Sequence, residues 1–432
     1  MIKLKAMIKF FRAKRKEKAW RWAGAIPDPR GRRGRRWPLP ALLNGLFIGL
    51  LAGCRTLGRV EQLTEQLSGG WRRALGIDRR IPDTTLYDLL GQLEGSAFRP
   101  LLHAQVKAEL RGKRLVADAL PIGVVAIDGK TLATGEAGFH PQAQTSHTDE
   151  GRPYGNLRAL RAVLISSRWQ PCLDQGLIPP ETNEMGFFER YWSELLGAYG
   201  HSGLIEAVSL DSGFASWHNA DLIDRRGKAY VIALKGNQPE LYREAEKLLG
   251  RVYNGHTRRF EQKPEAQTDW EPYRGDFVRR SFFRHKDLEG YLGWTHLKQV
   301  WLVVQEHKDT RGRVEVEYRY FITSLLWNRL TAAECLRLVR LHWGIENSCH
   351  WALDVQWLED SKAWSGQGPA VEALSWLRLM AYNLTQWLRH GRRPDGRPDP
   401  LRWQDVFDGV RWYWYVGQPQ RPLAEELQLL GI

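Results

Sequence analysis

The chain has 432 residues, 43% of them hydrophobic and 11% aromatic, which is ample for a buried core and excludes a disordered polyelectrolyte. Its 63 Lys and Arg exceed its 49 Asp and Glu, a net charge of +14, and +12 of that lies in residues 1–36, where only Glu17 and Asp28 are acidic. Such an arm suits a polyanion, because each cation near a phosphate releases condensed counterions; a solvated leader without function, with Met7 as a second start, is the rival reading.

Cys54, Cys172, Cys335 and Cys349 are too widely spaced for a zinc or redox-dithiol motif, which suits a reducing cytoplasm. No secretory signal is visible. The most apolar run, Ala41 to Gly53, is interrupted by Asn44 and falls short of the roughly 20 residues that cross a bilayer, so it reads as a buried helix and no membrane partner is expected.

From Leu39 to about Leu115 apolar residues recur at three- and four-residue steps, predicting a small helical bundle. Within it, Val60 to Leu67 and Thr85 to Leu93 repeat the amphipathic pattern, and a helix-turn-helix role in DNA recognition stands beside plain bundle packing. At Val116 the period changes. Gly123-Val-Val-Ala-Ile-Asp128 reads as a buried strand ending in an acid, followed by a less regular strand from Leu157 to Ser167 and a helix from about Asn183 to Tyr199. Next come a strand from Ile205 to Leu210 ending at Asp211, a helix from Trp217 to Arg225 and a strand from Tyr230 to Leu234. The alternation predicts an α/β sheet containing parallel strands. Arg279 to Arg284, Val300 to Glu306 and Val314 to Thr323 predict a strand-rich insertion. Thr331 opens a long helix reaching Trp351, and another runs from about Val371 to Leu388, with Arg389 to Pro400 as a loop.

Two acids therefore sit at strand ends, Asp128 and Asp211. Burial beside a sheet makes a bare carboxylate costly, and a divalent cation is the usual compensation; magnesium needs only two or three protein oxygens. A third oxygen donor must come from a helix, and Glu346 in His342-Trp-Gly-Ile-Glu-Asn347 is the candidate, with Asp354 next. Each acid has a plainer role as turn former, N-cap or solvated side chain. His342 and His350 lie four residues to either side of Glu346, a spacing that lacks the His-Glu-x-x-His of zinc proteases. Lys130 and Lys235 are phosphate contacts or surface lysines. Asn237 and Gln238 shape a loop or touch DNA, and Arg340 joins the candidate DNA contacts. Most tryptophans read as packing, with Trp20, Trp22 and Trp37 also placed to stack on unpaired bases.

Ala126-Ile-Asp-Gly-Lys130, Asp211 after a strand, Tyr230-Val-Ile-Ala-Leu-Lys-Gly-Asn-Gln238, His342 to Asn347, and His350 to Val355 with Glu359-Asp360 resemble the signature blocks of DDE transposases, in particular the H-repeat-associated, ISAs-type group of the insertion-sequence-four superfamily. The resemblance runs from about Asp28 to about Leu388. It implies an RNase H-like core with a strand-rich insertion, in which Asp128, Asp211 and Glu346 bind two Mg²⁺ ions, with Mn²⁺ as substitute, and carry out phosphoryl transfer on DNA. Its implied partners are double-stranded transposon ends and target DNA, with a homodimer as the working unit. The implied division is a basic arm 1–37, a helical domain 38–115, core 116–240, insertion 241–328, core helices 329–390 and tail 391–432. The resemblance also implies that His342 contacts phosphate with a pH-dependent charge, where a structural histidine is the alternative. Ala133, Ser216 and Leu353 depart from the family's usual Arg, Gln and Lys, which leaves open a decayed copy; a catalytically inactive DNA-binding derivative of such an element and an RNase H-like nuclease that cleaves without joining are the rival readings.

Overall fold

A computed structural model of the chain describes residues 23–250, 252–254, 259–294, 296–390 and 400–416. Trp20, Trp22, most of the basic arm and, in the tail, residues 391–399 and 417–432 lie outside those residues. Pro38 and Pro40 pre-set the first turn of α1 (Leu39–Leu51), a helix buried on every side, as its composition predicts. It packs on α2 (Leu57–Gln66), whose N-cap Thr56 accepts a hydrogen bond from the Arg59 amide. The approach is close at Gly49, where a Cβ would come within 2.7 Å of Val60. The short helices α3 (Gly69–Leu75) and α4 (Asp83–Leu90) and the longer α5 (Arg99–Arg111) complete the bundle.

The sheet begins with β1 (Val124–Glu136), β2 (Gln144–His147), β3 (Pro153–Leu164) and β4 (Cys172–Leu177), all antiparallel neighbours. After α6 (Glu184–Tyr199) come β5 (Ala207–Leu210), α7 (Trp217–Arg225) and β6 (Ala229–Leu234). β5 pairs parallel to both β1 and β6, with α7 as the crossover that a parallel connection needs. Following α8 (Pro239–Leu249), the strand-rich segment supplies β7 (Tyr253–Asn254), β8 (Arg259–Phe260), β9 (Ala266–Gln267), β10 (Glu271–Tyr273), β11 (Asp276–His285), β12 (Gln299–Lys308) and β13 (Val314–Thr323). The segment does not stand apart as its own layer. β13 pairs with β6, Tyr320 opposite Leu234 through Thr323 opposite Val231, so one eleven-stranded sheet runs β10-β11-β12-β13-β6-β5-β1-β3-β2, with β4 on β3 and β9 on β11.

Pleating splits the sheet's side chains between two cores. Val124, Ala126, Val163, Trp301 and Phe321 face α1 to α4 and the C-terminal helices; Val125, Ile127, Leu160, Val208 and Leu302 face α6 to α8. The fold is thus α/β, an RNase H-like core whose sheet is extended by the insertion, preceded by a helical bundle and followed by helices. Of those, α9 (Ala332–His342) starts with a capping box in which Thr331 and Glu334 satisfy each other's backbone amides. The single long helix expected from Thr331 to Trp351 is broken. α9 stops at His342, Ile345–His350 forms a π-helical segment, and α10 (Trp351–Trp357) follows. α11 (Gly368–His390) and α12 (Trp403–Val416) close the chain.

The four cysteines are buried and unbridged. Trp71, Trp192, Trp301, Trp357 and Trp414 are fully buried, as the packing reading expects. Trp37 packs partly buried against the helical core, with the Arg79 guanidinium 4.6 Å from its ring centre. Among the described residues no helix is long and apolar enough to cross a membrane.

Candidate active site

β1 does not end at Asp128, as the apolar run suggested. It continues to Glu136, and its parallel partner β5 is the strand that stops. The register pairs Ile127 with Leu210, the last residue of β5, so the next step along each strand sets Asp128 beside Asp211 at about the 4.8 Å spacing of neighbouring strands. Burial changes at the same point: Val124 to Ile127 are fully buried, and Asp128 to Lys130 are half-buried. Asp211 is the N-cap of a short 3-10 turn and accepts from the Gly213 amide at 2.9 Å. Asp128 accepts from the Gly129 amide at 2.8 Å.

The π-helical segment supplies the third acid. Such segments place one extra residue in a helix and often mark functional sites. Here the segment buries His350 beside the sheet, its Nδ1 3.7 Å from Asp128 Oδ2, while Glu346 lies exposed. Burial foremost, then the charges of Glu346 and Asp211, push the Asp128 carboxyl up to about 7. The three acids are therefore electrostatic neighbours. They are not closed into a cage, however: among the described residues no three His, Cys, Asp or Glu side chains are drawn together closely enough to hold an ion.

Two atoms at the site are buried without a hydrogen-bond partner among the described residues, His350 Nε2 and Asp354 Oδ1. The other Asp354 oxygen holds Lys130 Nζ at 2.5 Å. Burial drives the His350 imidazole well below its usual range, and the nearby Arg161 and Lys130 charges act in the same direction, so it stands neutral beside Asp128. Three oxygen donors, a neutral imidazole and unpaired buried polar atoms are chemistry that fits a divalent cation.

The remaining candidates disperse. His342 is only 5% exposed, donates to or accepts from Ser209 Oγ at 2.9 Å, and is pushed down to about 4 by burial. That is the structural role; a neutral ring packed on β5 does not supply the switching phosphate contact the resemblance implied. Arg340 is exposed and pairs with Glu271 at 2.8 Å. Lys235 is exposed at the end of β6. Asn237 and Gln238 donate to the carbonyls of Ser212 and Ala215, at 2.7 and 2.9 Å, tying the loop after β6 to the turn after Asp211. Of the departures, Ala133 and Leu353 are buried, and Ser216 is the N-cap of α7.

Sequence reasoning missed two features. Glu184, in the first turn of α6, is paired with Arg158 and lies over Gly129, where an added Cβ would fall 2.1 Å from its carboxylate oxygen. It adds a fourth, weaker push on Asp128 from the other face of the sheet. Beneath the site, Arg161 lies directly across the β1–β3 ladder from Asp128 and is wholly buried; it bonds Glu359 at 2.9 Å, Ser375 at 3.0 Å and Gln175 at 2.8 Å. Although burial works to raise it, Arg161 holds the Glu359 carboxyl below its ordinary value.

Residues 120–384, more than half of the chain, match the family model described as a transposase DDE domain. The chain belongs to the DDE transposase family. YncI of Escherichia coli O157:H7, provisionally named a transposase, is 24% identical over 367 residues, 84% of this chain and 86% of that protein. YhhI of Escherichia coli strain K12, provisionally named an H repeat-associated transposase, is 25% identical over 60% of this chain and 63% of its own length. A cryo-EM structure of the piggyBac transposase synaptic complex with hairpin DNA resembles the chain weakly, at a TM-score of 0.42 and 12% identity over 91% of this chain and 75% of that one. DDE transposase domains depend on divalent metals, in keeping with the donor set around Asp128.

Proposed function

We propose that this DDE transposase, of the H-repeat-associated ISAs-type group, binds the terminal inverted repeats of its element, nicks their ends and joins them to target DNA, working as a homodimer in the cytoplasm. The observation that carries the reading is the register of β1 on β5, which sets Asp128 beside Asp211 with Glu346 close enough to raise the Asp128 carboxyl.

Asp128, Asp211 and Glu346 would hold Mg²⁺, or Mn²⁺ in its place. When bound, a metal pair supplies activation of the attacking oxygen and stabilisation of the leaving one in an in-line displacement. The chain's own residues provide the rest. Lys130, held by Asp354, and exposed Lys235 offer positive charge to phosphates on either side of the carboxylates. Asn237 and Gln238 fix the loop that presents Lys235. Arg340 is a further DNA contact on α9. The domain limits inferred from the sequence, with the helical domain at 38–115 and the insertion at 241–328, belong to the same proposal.

The test incubates purified protein with a duplex from the element's end and Mg²⁺ or Mn²⁺, comparing wild type with Asp128→Asn, Asp211→Asn and Glu346→Gln. Nicking and joining by wild type, both lost in each variant, is the expected result. Nicking that survives all three substitutions refutes the site, and nicking without joining identifies a nuclease.

A further inference from the structure

A cleft of about 500 Å³ opens on the far side of α10 from the Lys130–Asp354 pair, between the helical bundle and α12. Its lining includes Arg55, Arg59, Arg411, Gln62, Gln66 and Gln356, and no carboxylate. Arg411 is fixed by donating from Nε to the Ala52 carbonyl at 2.8 Å and pairs with Asp408 at 3.0 Å. Arg59 donates to Gln62 Oε1 at 2.8 Å. Arg55 is exposed and makes no hydrogen bond or ion pair with the described residues.

We propose that this cleft is a second DNA-binding subsite, one that grips a phosphodiester backbone beyond the carboxylates. Three guanidiniums supply charge and forked donors for phosphate oxygens, and side-chain amides bond phosphate or sugar without reading sequence. The inference rests on the transposase reading, because it needs DNA as the substrate. α10 separates the two places: Gln356 lies two residues beyond Asp354 and ten beyond Glu346, about 15 Å along the helix axis and on the opposite side of a helix roughly 10 Å across.

The test measures binding of a random-sequence duplex over a range of salt, since phosphate contacts are sequence-independent. Removing two contacts in Arg55→Ala/Arg59→Ala is expected to weaken binding about tenfold or more and to flatten the slope of log K against log salt by about 1.8. Adding one in Gln66→Arg is expected to tighten binding and steepen the slope by about 0.9. If the alanine variant fails to fold, Gln66→Arg decides. Wild-type binding with either folded variant unchanged in affinity and slope overturns the cleft and leaves the transposase reading standing. A wild type with no salt-dependent DNA binding overturns both.

Discussion

Asp128 is half-buried and Glu359 fully buried, and their surroundings push the two acids in opposite directions. Burial first, and then the neighbouring carboxylates, raise the Asp128 carboxyl to about 7 from an ordinary 3.8. A raised acid stabilises the fold fully only below its unfolded value, and that contribution is lost as pH climbs through the folded one, a few kcal/mol at most. In metal-free protein, Asp128→Asn is therefore expected to raise the melting temperature at pH 8, with the gain shrinking to nothing towards pH 4. Equal melting curves at pH 8 would show that Asp128 is not under that pressure. Glu359, only 1% exposed, instead answers the wholly buried Arg161. Glu359→Leu strands a buried guanidinium and should cost about 3–5 kcal/mol in denaturant unfolding, whereas Arg161→Met/Glu359→Leu together should recover only part of that loss, because buried Arg378 still loses the Glu359 charge.

Among the elements, those whose periodicity is set by local burial were legible in the sequence. The helix from Trp217 to Arg225 and the strand from Val314 to Thr323 have the expected limits, and the Thr331 cap stands where its Ser/Thr-x-x-Glu pattern points. Thr331→Ala should cost about 1 kcal/mol, measured by denaturant midpoint, and no change would mean the capping box is idle. Asp211 was readable because β5 is a short apolar run stopped by a capping acid. The length of β1 was not, because beyond Asp128 buried Leu132 and Ala133 sit side by side between exposed Thr131 and Thr134, which breaks the two-residue alternation. The π-helical segment was hidden for another reason: its apolar positions fit a 3.6-residue period well enough that nothing local marks the extra residue. Glu184 looks like any first-turn helix acid, and its place over Gly129 depends on a tertiary approach that no local pattern encodes. Arg161 was unreadable in the same way, a charge inside a strand whose partner lies 198 residues away.

At the scale of the whole molecule, the sheet does the joining. Residues far apart in the chain meet because β5 lies parallel to β1 and stops one residue before Asp211, while the C-terminal helices pack on the same face as Ala126 and Val124. The insertion lengthens that sheet through β13 and leaves the β1–β5 edge untouched. The acids beside Asp128 and the arginines of the α10 cleft put opposite charges on different parts of the molecule. Asp128, Asp211 and Glu346 are proposed to act as one cation site. Electron paramagnetic resonance of Mn²⁺ titrated into the wild type and into Asp128→Asn, Asp211→Asn and Glu346→Gln tests it without DNA or turnover. Protein-bound Mn²⁺ is expected in the wild type, with at least tenfold weaker binding in each variant, about 1.4 kcal/mol or more. Wild-type affinity retained in all three variants would contradict it.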